Sequence, residues 1–375
     1  MSRNADVFTI GVEEEFQIID PQTYSLDAGV EHILPRARET LGDAVQYELI
    51  LSQVEVATPI CQTLAEVQTA LTHQRHVLID AAEQAGRKIA AAGTHPFSPW
   101  HEQPITPKER YQFLVRDFQR LIQEQVIFGC HVHIGLSDGE IALEVMNRAR
   151  LWLSPLLALS ANSPFLEGAD TRYASFRTGL WWTSPLAGPP PFFSSRTDHD
   201  AFIQALVTSK GVEDVSRIYW DIRLPERYET IEFRVMDVCM TVDETVMLAG
   251  LIRALVRTCS DAAHRHVPVP DVRAELLRVA NWRAARYGLE GELVDVLAER
   301  TLPARDLIES FLAFLQPALE TEGDWEHISR LVAHTLDAGN GAMRQRTLFQ
   351  QTGSMQDVVQ YIIDETARGS VIGLV

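Results

Sequence analysis

The chain has 375 residues, with 33 basic against 51 acidic side chains and a formal charge of −18 with histidine neutral. At 46% hydrophobic and 22% charged residues it has the make-up of a soluble globular protein, which excludes global disorder and leaves room for one large domain or two medium ones. So acidic a surface repels phosphate backbones and anionic membranes, and no local basic patch offsets it, so neither nucleic acid nor membrane is an expected partner.

The segment MSRNAD runs directly into strand-like VFTIGV, without the apolar stretch and small-residue cleavage site of a secretory signal. The best apolar stretch, 151–161, is broken by Pro155 and falls short of the roughly 18 residues of a membrane span, so a cytoplasmic protein is expected. Cys61, Cys130, Cys239 and Cys259 form no CxxC pair, which fits buried, reduced thiols. Strands are expected at 7–19, 47–58, 87–93, 126–135, 216–223 and 228–236, with helices near 27–41, 107–124 and 138–160. Thr63 begins a capping box with Glu66, and Leu64, Val67, Leu71 and Leu78 follow at helical spacing until Gly86. From Val242 onward the pattern is almost wholly helical, as in ETVMLAGLIRALVRTCSDAAH and RDLIESFLAFLQPAL. The irregular stretch from Ser163 through GPPPFFSSR to Arg196 reads as a binding loop or as a surface excursion.

Chemistry begins in FTIGVEEEFQIID. A strand alternates faces with a period of two, so Glu13 and Glu15 share a face with Gln17, whereas Glu14 lies with Ile10, Val12, Phe16 and Ile18. Two carboxylates aligned on an otherwise apolar strand need a compensating cation, and a hard divalent ion such as Mg²⁺ meets that need; an exposed acidic face is the plain alternative. In YELILSQVEVATP, Glu55 stands between Val54 and Val56, where a charge is rarely buried without a partner or metal, while Glu48 is nearer the strand start and reads equally as solvent-facing. In VIFGCHVHIGL, His131 and His133 project together and Val132 and Ile134 oppositely. Between Gly129 and Gly135, that HxH pair reads as a metal or phosphate contact, or as two core histidines satisfied by backbone groups. In TIEFRVMD, Glu232 and Arg234 share a face, setting a carboxylate ligand beside a rigid guanidinium fork able to meet phosphoryl charge; an intrastrand salt bridge is the alternative.

Taken in order, GVEEE, QVEVATP, GCHVHIGL, ANSPF and TIEFRVMD resemble the YbdK-type carboxylate–amine ligases, also called type 2 glutamate–cysteine ligases, of the glutamine synthetase superfamily, over roughly residues 7 to 370. The resemblance implies an α+β fold in which an antiparallel sheet of about six strands curves into a funnel walled by helices. It implies a single catalytic domain over 1–375, with a sheet-forming core at about 7–240 and a mainly helical part at 242–370. ATP and Mg²⁺ or Mn²⁺ are expected at the funnel's centre. Glu13, Glu15, Glu55, His131 and Glu232 correspond to metal ligands, and His133 and Arg234 to catalytic contacts with ATP phosphates or the transferred phosphoryl group. Arg177 in YASFRTGLW and Asn162 in ANSPF fall where the family has loop residues near the amino-acid substrate, and Glu48 is a further candidate on the substrate side. The implied reaction is ATP-dependent amide formation through an acyl phosphate, with glutamate and cysteine or a related amino-acid pair as substrates, in a homodimer.

There is no GxxxxGK[ST] loop, so nucleotide must rest on metals and a sheet surface. Two rival readings are a metal-dependent amidohydrolase and a non-catalytic binding homologue. The first needs further histidines at strand ends, whereas His199, His264, His266, His327 and His334 fall in helix-like or loop-like segments. ATP-dependent phosphate release separates all three.

Overall fold

The computed structural model describes residues 8–213 and 215–369. Seven strands form its main sheet: β1 (Ile10–Ile19), β2 (Val45–Tyr47), β3 (Gln53–Ala57), β4 (Lys88–Ala90), β5 (Gly129–Gly135), β6 (Ile222–Arg223) and β7 (Thr230–Asp237). Their order is β2-β3-β1-β5-β7-β6, and β4 pairs with Gln17–Ile19 of β1, beyond the stretch of β1 that β5 occupies. All these pairings are antiparallel.

One face of the sheet is apolar because every second residue is. Ile10, Val12, Val132, Ile134 and Phe233 pack with Leu64, Val67 and Leu71 of the helix Leu64–Gln84 and with Val246 of the helix Val242–His264. Phe16, Ile18, Val54 and Val56 pack with Leu78 and with Ile33 of the helix Val30–Leu41. Burial of these side chains, at about 25 cal/mol per Å² of apolar surface, is what fixes the sheet on its helices. Glu14 lies on this same covered face. Arg75, from the helix Leu64–Gln84, meets it with Nε at 3.0 Å and Nη2 at 2.5 Å, Thr245 Oγ1 donates to it at 2.8 Å, and the remaining Arg75 donors go to the carbonyls of Met240 and Cys239. The parity that set Glu14 apart from Glu13 and Glu15 thus ends in a buried ion pair tying β1 to two helices.

Local signals hold with adjustments. Thr63 Oγ1 accepts from the Glu66 amide at 3.2 Å, but the Glu66 carboxylate accepts from Gln62, one residue earlier than a reciprocal box requires. The helix ends at Gln84, with Gly86 following at φ +71°. The expected strand 47–58 is two strands, because Leu49 and Ile50 are consecutive and both buried in one core, which a pleated strand cannot arrange. The chain turns there, and β2 folds back on β3 with Tyr47 opposite Val54. This division brings the sheet to seven strands, one more than expected. The helix expected over 107–124 is interrupted at Gln119, whose φ of 52° leaves the helical region between Glu109–Phe118 and Arg120–Gln123. The irregular stretch after Ser163 contains the short helix Phe176–Trp181, and the mainly helical C-terminal part contains a hairpin, Glu292–Asp295 with Arg300–Pro303. Among the described residues, no helix is long and apolar enough to cross a membrane.

Candidate active site

The uncovered face of the sheet carries a row of ionisable side chains set by register. Glu15 stands opposite Glu55 across β1 and β3, Glu13 opposite His131 across β1 and β5, and His133 opposite Glu232 across β5 and β7. Glu13 Oε2 lies 3.1 Å from His131 Nδ1, and its Oε1 lies 3.4 Å from His133 Nε2. His133 Nε2 is 3.9 Å from Glu232 Oε1, while Thr230 Oγ1 at 3.1 Å fixes the other ring nitrogen. Glu232 is almost fully buried and held by two guanidiniums: Arg223 through Nε at 2.6 Å, and Arg234 through a direct ion pair.

A β-bulge aims Arg234. Cys130 pairs with Met236 but Val132 with Phe233, so β7 spends three residues where β5 spends two. Such an insertion bends the strand and redirects side chains. Past the bulge, Asp237 falls opposite Gly129 and hence on the face of the site.

Burial and charge act unevenly along the row. Burial alone would raise Glu13 and Glu232, but the imidazoles of His131 and His133 close beside it hold Glu13 well below the usual carboxylate range, and the charges of Arg234 and then Arg223 depress Glu232. Glu15 has no such relief. Burial, and after it the charge of Glu48, pushes it up to about 7, although its Oε2 accepts from the Gly129 amide at 2.5 Å and from Gln53 Nε2 at 3.1 Å. Glu55 is raised well above its ordinary value by burial and by the charges of Glu13, Glu48 and Glu15. Burial lowers His131 to about 4. A buried and a half-buried carboxylate in excess of their cations are what a bound divalent ion neutralises.

The residues fit such an ion. One ligand atom each from Glu13, His133 and Glu232 lie within 4.8 Å of one another, and the Nε2 atoms of both His131 and His133 are buried without a hydrogen-bond partner. Carboxylate oxygens with one imidazole suit Mg²⁺ or Mn²⁺. Of the five ligands expected from sequence, Glu13 and Glu232 enter this cluster. Its third member is His133, which sequence reasoning assigned to phosphate. His131 stands on the other flank of Glu13, with Nε2 4.0 Å from Glu15 Oε1, and Glu15 and Glu55 lie beside it as a second acidic pair.

The sequence model of glutamate-cysteine ligase family 2 (GCS2) matches residues 9–362. The chain belongs to this family. A relative from Rhodopirellula baltica, named "Putative glutamate--cysteine ligase 2", is 38% identical over 369 residues, covering 97% of this chain and 98% of its own. Another from Mycolicibacterium smegmatis, named "Putative glutamate--cysteine ligase 2-3", is 40% identical over 364 residues, covering 97% and 98%. The fold is similar to the crystal structure of glutamate–cysteine ligase from Francisella tularensis in complex with AMP, with a TM-score of 0.70 at 13% identity over 97% of this chain and 89% of that one. It is also similar to the bifunctional glutathione synthetase from Pasteurella multocida, with a TM-score of 0.69 at 15% identity over 97% of this chain and 52% of that one. As a member of the family, the chain is a ligase of the α+β type with a helix-walled antiparallel sheet.

In this ligase the loop candidates fare differently. Arg177 is 2% exposed and reaches the site over Gly129: a Cβ at residue 129 would lie 2.4 Å from its Nη2 and 3.2 Å from His131 Nε2, so only glycine leaves room for both. Asn162 is not brought into the site. Its Nδ2 donates to the carbonyls of Ala91 and Val238, and its Oδ1 accepts from Gln345, so every polar group is spent on anchoring the loop. Glu48 sits in the turn between β2 and β3, not on a strand, and its Oε2 accepts from Tyr111 Oη at 2.9 Å. Sequence reasoning missed Arg223, whose place directly across from Glu232 depends on long-range pairing. It also missed Asp237, which plain alternation puts on the apolar face. The Asp237 carboxylate accepts from the Asn162 amide, Ser163 Oγ and Ser175 Oγ, and Ser163 Oγ in turn accepts from the Arg177 amide, so this buried acid places the Arg177 helix.

Proposed function

We propose that the protein is an ATP-dependent carboxylate–amine ligase that activates an amino-acid carboxylate as an acyl phosphate, with glutamate as donor and cysteine as acceptor the leading pair. The observation that carries this reading is that Glu232 is shared: it is one of three side chains grouped to hold a divalent ion and it is also paired with the fixed cation Arg234, so the two positive charges a polyphosphate needs would meet at one carboxylate. Glu13, Glu232 and His133 would hold the ion, with Glu15, Glu55 and His131 beside it; when bound, it supplies charge neutralisation at the phosphates. Arg234 is placed to meet the equatorial oxygens of the transferring phosphoryl group, where developing charge is stabilised most by preorganised donors. Arg177 would orient the donor carboxylate over Gly129. A carboxylate oxygen forms a bond to the γ-phosphorus as the bond to ADP breaks. The amine nitrogen then bonds the activated carbonyl carbon, phosphate leaves with its electron pair, and the amine loses a proton. Holding both reactants in one buried site makes each step effectively intramolecular.

We read the protein further as a homodimer, supported by exposed Val279 and Trp282 on the helix Ala274–Tyr287; light scattering tests the dimer. The ligase reading is tested by ADP release with Mg²⁺ or Mn²⁺ over a matrix of carboxylate donors and amine acceptors. Metal-dependent ADP formation with one pair supports it. Amide hydrolysis without ATP would favour the amidohydrolase, and ADP formation that survives exhaustive chelation would remove the metal from the reading.

A further inference from the structure

Arg177 and Arg234 converge on a single indole. Both guanidiniums lie against the Trp181 ring, its centre 5.6 Å from Arg177 Cζ and 5.2 Å from Arg234 Cζ. Trp181 is itself buried and held on two sides: its Nε1–H donates to the Tyr219 carbonyl at 3.1 Å, and the Tyr219 ring meets it edge-on at 5.1 Å. The ring therefore cannot turn away without breaking a partly buried hydrogen bond.

The need for such a platform is electrostatic. Arg234 is paired with Glu232, but no carboxylate of the described residues lies within ion-pair distance of Arg177, whose Nη2 reaches only the Arg234 carbonyl at 3.4 Å. The Nε atoms of both arginines are buried without partners. Two like charges gathered at one ring repel, and Glu15, Asp221 and Asp237, each raised overall by burial, stand near enough to feel the opposing pull of the Arg177 charge. An Arg177 side chain free to swing would settle on one of these acids, and its positive charge would be lost to any ligand. An aromatic face attracts a guanidinium without consuming its N–H donors, so it can hold the charge in place and leave the donors open.

We propose that Trp181 is a positioning residue that holds Arg177 and Arg234 side by side as a two-guanidinium cradle for one oxyanion. The proposal rests on the ligase reading for the identity of that anion, a phosphoryl or carboxylate group of the substrates. The placement of Arg177 over Gly129 and beside Arg234 sets the cradle against the acidic row, where such a group would lie.

The test uses inorganic phosphate as the probe, titrated calorimetrically into the Mg²⁺-supplemented protein without turnover, in a double-variant cycle of Trp181→Leu and Arg177→Ala. Trp181→Leu is expected to weaken phosphate binding about tenfold, Trp181→Phe to restore most of it because it keeps an aromatic face, and Trp181→Leu to add little once Arg177 is alanine. Equal binding by wild type and Trp181→Leu, or the same loss with and without Arg177, would overturn the proposal. If the leucine variant does not fold, Trp181→Met, which also lacks an aromatic face, carries the same cycle, and zero coupling there overturns the proposal as well. Because phosphate binding needs no catalysis, a wild type that shows the coupling yet forms no ADP would retain the cradle and reject the ligase reading.

Discussion

Replacing Glu15 by glutamine should stabilise the metal-free protein while weakening its hold on metal, because the cluster of Glu13, His133 and Glu232 loses an acidic neighbour. The carboxyl of Glu15 is pushed from 4.5 up to about 7 in the folded chain, first by burial and then by the charge of Glu48. Below pH 4.5 both folded and unfolded chains carry this proton, and Glu15 contributes no pH dependence. Between 4.5 and about 7 the folded chain keeps a proton that the unfolded chain has released, so folding stability falls as pH rises; above about 7 the loss is complete. At about 1.4 kcal/mol per pH unit, that interval amounts to ~3 kcal/mol. Glutamine has nearly the same shape, its amide oxygen still accepts from Gly129, and it carries no charge to bury. Glu15→Gln should therefore match wild type near pH 4.5 and exceed it by ~3 kcal/mol at pH 8, in urea melts with chelator present. Taking the difference between the two proteins cancels titrations remote from Glu15, such as that of His95, which burial lowers to about 3 and which runs the opposite way. Added Mn²⁺ should shrink the difference, because the wild type, with one more acid beside the cluster, gains the larger ligand-linked stabilisation. A glutamine variant less stable than wild type at pH 8 in chelator would refute the reasoning, since it would mean that Glu15 is already neutralised by the protein.

Arg234→Ala should lower kcat by about 100-fold with a smaller effect on KM, and lysine should rescue poorly for want of a planar fork; steady-state kinetics and a melt on the same variant check this, and a folded variant with wild-type kcat removes Arg234 from the chemistry. Gly129→Ala should fold but displace Arg177, whose Nη2 would lie 2.4 Å from the new Cβ, so KM for the carboxylate donor should rise about tenfold with little change in Tm; an unchanged KM would show that Arg177 does not address that substrate. Asn162→Ala should leave the carbonyls of Ala91 and Val238 without a donor and cost about 3 kcal/mol, lowering Tm while KM of the folded fraction holds; a KM effect without a Tm effect would return Asn162 to the substrate.

Much of the site could be read from the chain because strands alternate. A period of two in FTIGVEEEFQIID suffices to separate Glu14 from Glu13 and Glu15, and the same period brings His131 and His133 to one face. What could not be read depends on partners far away in sequence. The bulge in β7 arises only when that strand is laid against β5, and with it goes the placement of Asp237 on the site's face. Arg223 needs the β6–β7 pairing, and Trp181 needs a six-residue helix inside a stretch without periodicity. Asn162 shows a related limit: a polar residue in a loop looks available in sequence, whereas its side chain is bonded to the carbonyls of Ala91 and Val238 and to Gln345. The break in the expected strand 47–58 did leave a trace, the adjacent apolar pair Leu49 and Ile50, which violates alternation.

The ion pair between Glu14 and Arg75 gives the three consecutive glutamates of β1 a role in folding fidelity. A slip of β1 by one residue would carry Glu13 and Glu15 into the apolar layer, where Arg75 offers a single counter-charge, and would expose Phe16 and Ile18 on the wet side. An uncompensated carboxylate in such a layer costs several kcal/mol, so the misaligned sheet is rejected by the same charges that serve the aligned one. The tripeptide thus acts as a checksum: only one alignment of the strand gives every acid a cation, or a place where one can bind.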